Sequence, residues 1–177
     1  RRSSDLLRND DDYDAFFKDT LKAGHYENNC ESVDIMIRSS QETIRDLIGY
    51  GVDFTKKNGE LCYTREGAHS SHRILYHKDI TGEEITKKLL ARTRERENIT
   101  IMEYTTMLDL LERDGECIGI AAKDAEGKIF PIIADAVLLA CGGIGGLYDH
   151  STNFPHLTGG GLAVCLKHGV ELLHTDY

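Results

Sequence analysis

The feature that most constrains the fold is an apolar run that ends in glycines. Asp135-Ala-Val-Leu-Leu-Ala140 leads directly into Cys141-Gly-Gly-Ile-Gly-Gly146. Unbroken apolar character, without polar alternation, is the pattern of a strand covered on both faces, as in a parallel sheet. The glycines after it let the backbone approach a ligand closely, with no Cβ in the way. Ligands of open α/β sheets sit at the carboxyl ends of such strands. On spacing alone, an ordinary glycine turn fits this junction equally well.

The first third of the chain is predicted to be helical. Residues 14–24 place Phe17, Leu21 and Phe16 toward one face, and Gly24 suits a C-cap. A second helix is predicted from Cys30 to Tyr50, with Val33, Ile37, Ile44, Leu47 and Ile48 recurring at helical spacing. Val52-Asp53-Phe54 then begins an extended segment. Residues 55–72 are polar and are broken by Asn58-Gly59 and Gly67. An extended run resumes over Arg73–His77. Thr81-Gly-Glu-Glu84 has the form of a capping box, with Thr81 as N-cap, and opens a helix running to about Glu97.

From Ile99 the pattern changes to strands: 99–103, 105–112, 117–122 and 128–133. Asp114-Gly115 and Ala125-Glu-Gly127 supply the turns of an antiparallel meander. A last helix is predicted over 161–168, stopped by Gly169. The fold class expected is α/β: a partial, Rossmann-like domain with an antiparallel β-meander and helical segments. The dinucleotide fingerprint itself is not in this sequence. Its nearest lookalike, Gly143-Ile-Gly145-Gly-Leu-Tyr148, ends in Tyr where glycine or alanine is needed.

Charge narrows the function classes. The net charge of −9 is spread along all 177 residues, which argues against nucleic acid as a partner, since that needs clustered Lys and Arg. No apolar run reaches the roughly 18 residues that cross a bilayer, so no membrane partner is expected. The five cysteines are odd in number and form no CxxC pair. Reduced thiols in a cytoplasmic protein, with no metal site, are expected. The chain opens on Arg1 without an initiator Met or a signal peptide, and this is expected not to be the natural start.

Two polar segments complete the inventory. Thr64-Arg-Glu-Gly-Ala-His-Ser-Ser-His-Arg73 gathers two His, two Arg, one Glu and several hydroxyls around a glycine. Such a loop suits anion binding and proton transfer: Arg can hold a carboxylate by paired hydrogen bonds, and Glu among cations can relay protons. A solvated polar loop has the same composition. Thr158-Gly-Gly-Gly161 leads into a helix whose free N–H groups suit a phosphate or carboxylate, although a flexible turn also fits.

Taken together these pieces resemble a known family. Arg65-Glu66-Gly67-Ala68-His69-Ser70, followed by Arg73-Ile74-Leu75, is similar to the "REGGHS…RIL" stretch of L-aspartate oxidases, and Asp79-Ile-Thr-Gly82 to their "DATG" turn. Val137–Gly143, Tyr148 and Ser151-Thr152-Asn153 resemble "VVLATGG…Y…TTN", and Thr158–Gly161 resembles "TGDG". The "ATGG" and "TGDG" elements are shared with the wider family of succinate dehydrogenase and fumarate reductase flavoproteins. The "REGGHS" element points to the aspartate oxidase branch.

The resemblance implies FAD as cofactor and a dicarboxylate substrate, L-aspartate or fumarate. It implies oxidation of L-aspartate to iminoaspartate, the first step of bacterial NAD biosynthesis. It makes residues 1–177 part of an FAD-binding domain, with the GxGxxG unit before it and a capping domain after it. By position, Glu66 is implied to be the active-site Glu, with His69 and Ser70 near the substrate. Thr106, Met107, Gly142, Gly143 and Gly160 are implied to lie against FAD. The sequence departs from the pattern at Gly160, where the family has Asp, at Cys141 for Thr, at Ala68 for Gly, and in the two residues before Arg73. Loss of the Asp removes a hydrogen-bonding carboxylate beside the flavin. Two other readings stand beside this one: a fumarate reductase or succinate dehydrogenase-like flavoprotein, and a cofactor-free module without activity of its own.

Overall fold

The computed structural model of the chain describes Leu6, residues 12–65 and residues 67–172. The chain divides into two compact units, Arg1–Thr100 and Ile101–Tyr177.

The first unit is built around an amphipathic helix pair. Helix α1 (Tyr13–Ala23) and helix α2 (Cys30–Gly49) pack through Phe16, Val33 and Ile37, flanked by Tyr13, Phe17 and Leu21. The sequence places Phe16, Phe17 and Leu21 together; Phe16 proves to be the fully buried member. Asn29 caps α2 by accepting a hydrogen bond from the Ser32 N–H at 2.9 Å. Ser40 lies in the buried stripe of α2 and satisfies its hydroxyl on the Ile37 carbonyl at 2.7 Å. Ile48, expected on that stripe, is exposed.

The C-terminal half of α2 contributes Ile44 and Leu47 to a second cluster with Val52, Phe54, Leu75 and Ile85. The alternation Val52-in, Asp53-out, Phe54-in bears out the extended segment, although no ladder forms there. Asn58-Gly59 makes a tight hairpin between strands β1 (Lys56–Lys57) and β2 (Glu60–Leu61), with φ of 54° and 85°. Strands β3 (Tyr63–Thr64) and β4 (Ile74–Leu75) pair antiparallel and hold residues 65–73 between them.

Helix α3 (Thr81–Arg94) begins where expected but without a capping box. Ile80 occupies the N-cap. The Thr81 hydroxyl instead accepts from the His77 N–H at 3.0 Å, and Glu84 accepts from the Asp53 N–H at 3.1 Å. Both side chains that could close the box are drawn to backbone outside the helix, where they satisfy other donors.

The second unit contains a meander of strands β5 (Thr106–Arg113), β6 (Glu116–Lys123) and β7 (Ile129–Ile133), in the order β5-β6-β7. This is the antiparallel excursion that the sequence predicts. Asp114-Gly115 forms the first turn with φ of 54° and 83°. Pro131, which has no N–H to donate, lies in β7, paired on one side only. Helix α4 (Gly160–Lys167) follows, and Gly169 leaves it with φ of 76°.

Two expected strands do not form. Residues 99–103 are irregular, with Ile99, Ile101 and Met102 exposed. Residues 135–140 also lack a strand, and Leu138 is 93% exposed rather than buried. A strand exists only with a neighbour to complete its hydrogen bonds, and no described strand pairs with either segment.

Candidate functional site

The loop between β3 and β4 is organised from beneath by one arginine. Arg73 is fully buried, with its guanidinium 4.8 Å from the centre of the Phe16 ring. Its Nε and Nη2 donate to the two oxygens of Asp12 at 3.2 and 2.8 Å. Its Nη1 donates to Asp19 at 2.7 Å and contacts Nδ1 of His69 at 3.1 Å. Asp19 also accepts from the Ser70 N–H and hydroxyl, both at 2.7 Å. Ser71 donates to Asp12 at 3.2 Å. Asp12 at the N-cap of α1 and Asp19 within it therefore supply two carboxylates that hold one arginine and two residues of the loop, Ser70 and Ser71.

Burial alone would lower the pKa of Arg73, but the hydrogen bonds and charges of Asp12 and Asp19 outweigh it and leave it raised. Burial likewise pushes the Asp19 carboxyl up. The Ser70 N–H, Arg73 and the Ser70 hydroxyl reverse this and hold it below the usual carboxylate value. Asp12 and Asp19 lie more than fifty residues from Arg73 in sequence. Their partnership carries no local pattern, and sequence reasoning missed it. Arg73, a candidate for gripping a substrate carboxylate, is instead committed to carboxylates of the chain itself.

Glu66 lies outside the described residues. His69 is half-buried against Phe16, with ring centroids 6.0 Å apart, and Ser70 is exposed with its hydroxyl hydrogen given to Asp19. Both belong to the first unit. Among the described residues no group of His, Cys, Asp and Glu could hold a metal ion.

The other candidates belong to the second unit. Thr106 opens β5 and is exposed; Met107 pairs with Ala122 of β6. The glycine-rich segments 141–146 and 158–161, read separately in the sequence, meet here. The Gly146 N–H donates to the Leu157 carbonyl at 2.8 Å. A Cβ on Gly142, whose φ is 79°, would fall 2.7 Å from the Leu157 side chain, and one on Gly161 would fall 2.8 Å from Cys141 Sγ. Gly159, the N-cap of α4, is left-handed with φ of 74° and offers no side-chain cap. Gly143 and Gly160 face open space, with nothing within 4 Å of a Cβ. The start of α4 thus keeps backbone donors uncapped beside a glycine-lined opening, an arrangement that fits an anionic or carbonyl-bearing group of a flavin nucleotide. No carboxylate stands at position 160.

At its other end α4 is tied to β5. His168 Nε2 lies 2.9 Å from Asp109 and its Nδ1 3.2 Å from Glu112; Lys167 also pairs with Asp109. Lys167 and then His168 lower the Asp109 carboxyl to about 2. Asp109 and then Glu112 raise the His168 imidazole. No local pattern announces this cluster, because its partners stand almost sixty residues apart.

Comparison with known proteins agrees with this geometry. Residues 2–177 match the family described as FAD binding domain. An L-aspartate oxidase of Clostridium perfringens is 41% identical over 172 residues, covering 97% of this chain and 39% of that protein. An L-aspartate oxidase of Bacillus subtilis is 37% identical over 170 residues, covering 95% of this chain and 32% of that protein. Among solved structures, an E. coli quinol fumarate reductase superposes with a TM-score of 0.87 at 27% identity, covering 93% of this chain and 29% of that one. The chain therefore spans about two fifths or less of the length of these relatives. With the family model matched over nearly the whole chain and the fold shared at high similarity, the chain belongs to the FAD-binding domain family.

Proposed function

We propose that this chain is part of the FAD-holding domain of an enzyme that oxidises L-aspartate to iminoaspartate in NAD biosynthesis. The observation that carries the reading is the 41% identity to an L-aspartate oxidase, sustained over 97% of the chain. The meeting of the two glycine segments at the start of α4 supports it. Gly142, Gly143 and Gly160, with the backbone of Thr106 and Met107, would lie along the flavin. Bound FAD would supply a two-electron acceptor for the hydride that leaves the α-carbon of the amino acid. Glu66 would accept or relay the proton lost from nitrogen, or pair with the substrate ammonium. His69 and Ser70 would meet the substrate. The enzyme would act in the cytoplasm, and reduced flavin would pass its electrons to oxygen or fumarate.

A second reading, a fumarate-reducing or succinate-oxidising flavoprotein, is favoured by the TM-score of 0.87 to a fumarate reductase. The purified protein, as expressed with its full natural chain, should show flavin absorbance that L-aspartate bleaches anaerobically. Bleaching by succinate but not by L-aspartate would favour the second reading. Absence of flavin bands after reconstitution would favour a cofactor-free module. Glu66→Gln should lower aspartate turnover by roughly 10²–10⁴-fold with the fold intact, the cost of losing a positioned acid–base group. Fumarate reduction should fall less if Glu66 pairs with the ammonium, and equally if it relays protons. Lower thermal stability with unchanged turnover would leave Glu66 as a neutraliser of Arg65 or Arg73.

A further inference from the structure

We propose that Cys141 and Cys165 are a redox couple, in which hydrogen peroxide converts the two thiols to a disulfide that staples the 141–146 segment to helix α4. The disulfide stands apart from the functional reading. Its effect on the cofactor rests on the reading above that the glycines of both segments lie along a flavin.

Gly161 brings the two cysteines together. Both are free thiols; Cys141 is exposed and Cys165 is half-buried on α4. A Cβ on Gly161 would fall 2.8 Å from Cys141 Sγ and 3.1 Å from Cys141 Cβ. The Cys141 thiol therefore occupies the space beside α4 that a side chain at position 161 would otherwise take. Cys165 follows Gly161 by four residues, so it lies on the same face of the helix, one turn along. Helix side chains lean toward the N-terminus, which tilts the Cys165 thiol toward the turn that holds Gly161. Cβ positions four residues apart on a helix are separated by about 6 Å. Combined with the contact at Gly161, this allows the two cysteine Cβ atoms a separation between about 3 and about 9 Å, and the roughly 3.5–4.5 Å of a disulfide falls inside that range.

The oxidant is hydrogen peroxide, which oxygen becomes on taking up two electrons and two protons. The more exposed sulfur, that of Cys141, attacks the peroxide. An S–O bond forms as the O–O bond breaks, water leaves, and Cys141 becomes a sulfenic acid. The Cys165 sulfur then attacks the Cys141 sulfur; the S–S bond forms, the S–O bond breaks, and a second water leaves. Two thiols have lost two electrons and two protons, and the peroxide has gained both. A dithiol reductant reverses the change, as suits a transient disulfide in a reducing compartment. The link closes a loop that contains Gly142, Gly143 and Gly160. It restrains those glycines before a flavin arrives, so less freedom is lost when one binds.

The test uses the reduced full-length protein, exposed to hydrogen peroxide, capped with iodoacetamide, digested and read by mass spectrometry. The peptides carrying Cys141 and Cys165 should appear joined, lighter by two hydrogens than their reduced sum, and dithiothreitol should separate them. Two capped thiols, a sulfinic acid at Cys141 without the link, or a disulfide to another cysteine overturns the proposal, and no variant is needed for that result. In Cys165→Ala the sulfenic acid should persist at Cys141, where dimedone traps it; dimedone on Cys165 in Cys141→Thr would overturn the order of attack. The cofactor half is read from release of FAD into a flavin-scavenging apoprotein. Release should be about tenfold slower from the disulfide form than from the reduced form, with no such difference in Cys141→Thr. Equal release from the two forms would overturn the cofactor half alone. A full-length protein that takes up no FAD would sink the functional reading and the cofactor half together, while the joined peptides would still establish the disulfide.

Discussion

Gly119 shows how a single missing Cβ can decide a sheet. It lies in β6 where the pairing with β5 slips between Leu111 and Glu112, and its φ is 143°. A Cβ there would come within 2.0 Å of the Ile132 carbonyl oxygen on β7. Gly119→Ala must therefore strain the backbone, which costs about 1–3 kcal/mol, and push β7 away as well. Urea unfolding followed by the sheet signal should show a lower midpoint, and an unchanged midpoint would mean that the bulge relaxes without cost. Gly24 contrasts with it. It caps α1 with an ordinary φ of −92°, while His25 and Tyr26 take the positive φ values. The sequence marks Gly24 as a helix stop, yet its small size serves a different contact, because a Cβ would meet the Asn28 side chain at 2.3 Å.

At the scale of elements, α4 is held to β5 by charge rather than by a core. Among the described residues, α4 has none that is buried, whereas Asp109 reaches both Lys167 and His168. The pH dependence follows from the signs. His168 is raised above 6.5, so its contribution is fully present below that value and is lost as pH rises through the raised one. Asp109 is lowered from 3.8 to about 2, so its contribution is present above 3.8 and is lost as pH falls toward 2. Amide exchange in α4, corrected for intrinsic rates, should show protection that declines as pH rises through the raised His168 value. His168→Gln should abolish that decline without affecting the loss in acid. A pH-independent protection factor in the parent chain would reject the electrostatic tie.

On the scale of the whole molecule, the flavin site proposed above would be assembled from segments far apart in the sequence. The sequence has glycine-rich backbone beside α4 but no GxGxxG turn to cradle a pyrophosphate. The 177-residue chain alone is therefore expected to bind FAD weakly. Stoichiometric quenching of flavin fluorescence at low micromolar concentration would refute this. In the full-length protein, Gly160→Asp should tighten FAD binding, since a charged hydrogen bond contributes roughly 1.5–3 kcal/mol. Gly160 has room for the new side chain, with nothing within 4 Å of its Cβ position. Equal dissociation constants for the two proteins would show that the site already compensates for the missing carboxylate.

Features legible from the residues alone were local and periodic. The stripes of α1 and α2, the turns at Asn58-Gly59 and Asp114-Gly115, and the meander order all follow from repeats and turn chemistry within a few residues. The glycine segments and the Arg65–Ser70 motif made the family legible through their order along the chain. Which side chains partner which emerges only once the chain is folded. The fold assigned Arg73 to Asp12 and Asp19, His168 to Asp109 and Glu112, and the Thr81 and Glu84 side chains to backbone outside their helix. It also left 135–140 without a ladder despite its apolar run. The physical reason is common to all four: hydrogen bonds and ion pairs are satisfied by whatever the fold brings within about 3 Å, and proximity across many residues leaves no periodic trace in a single sequence.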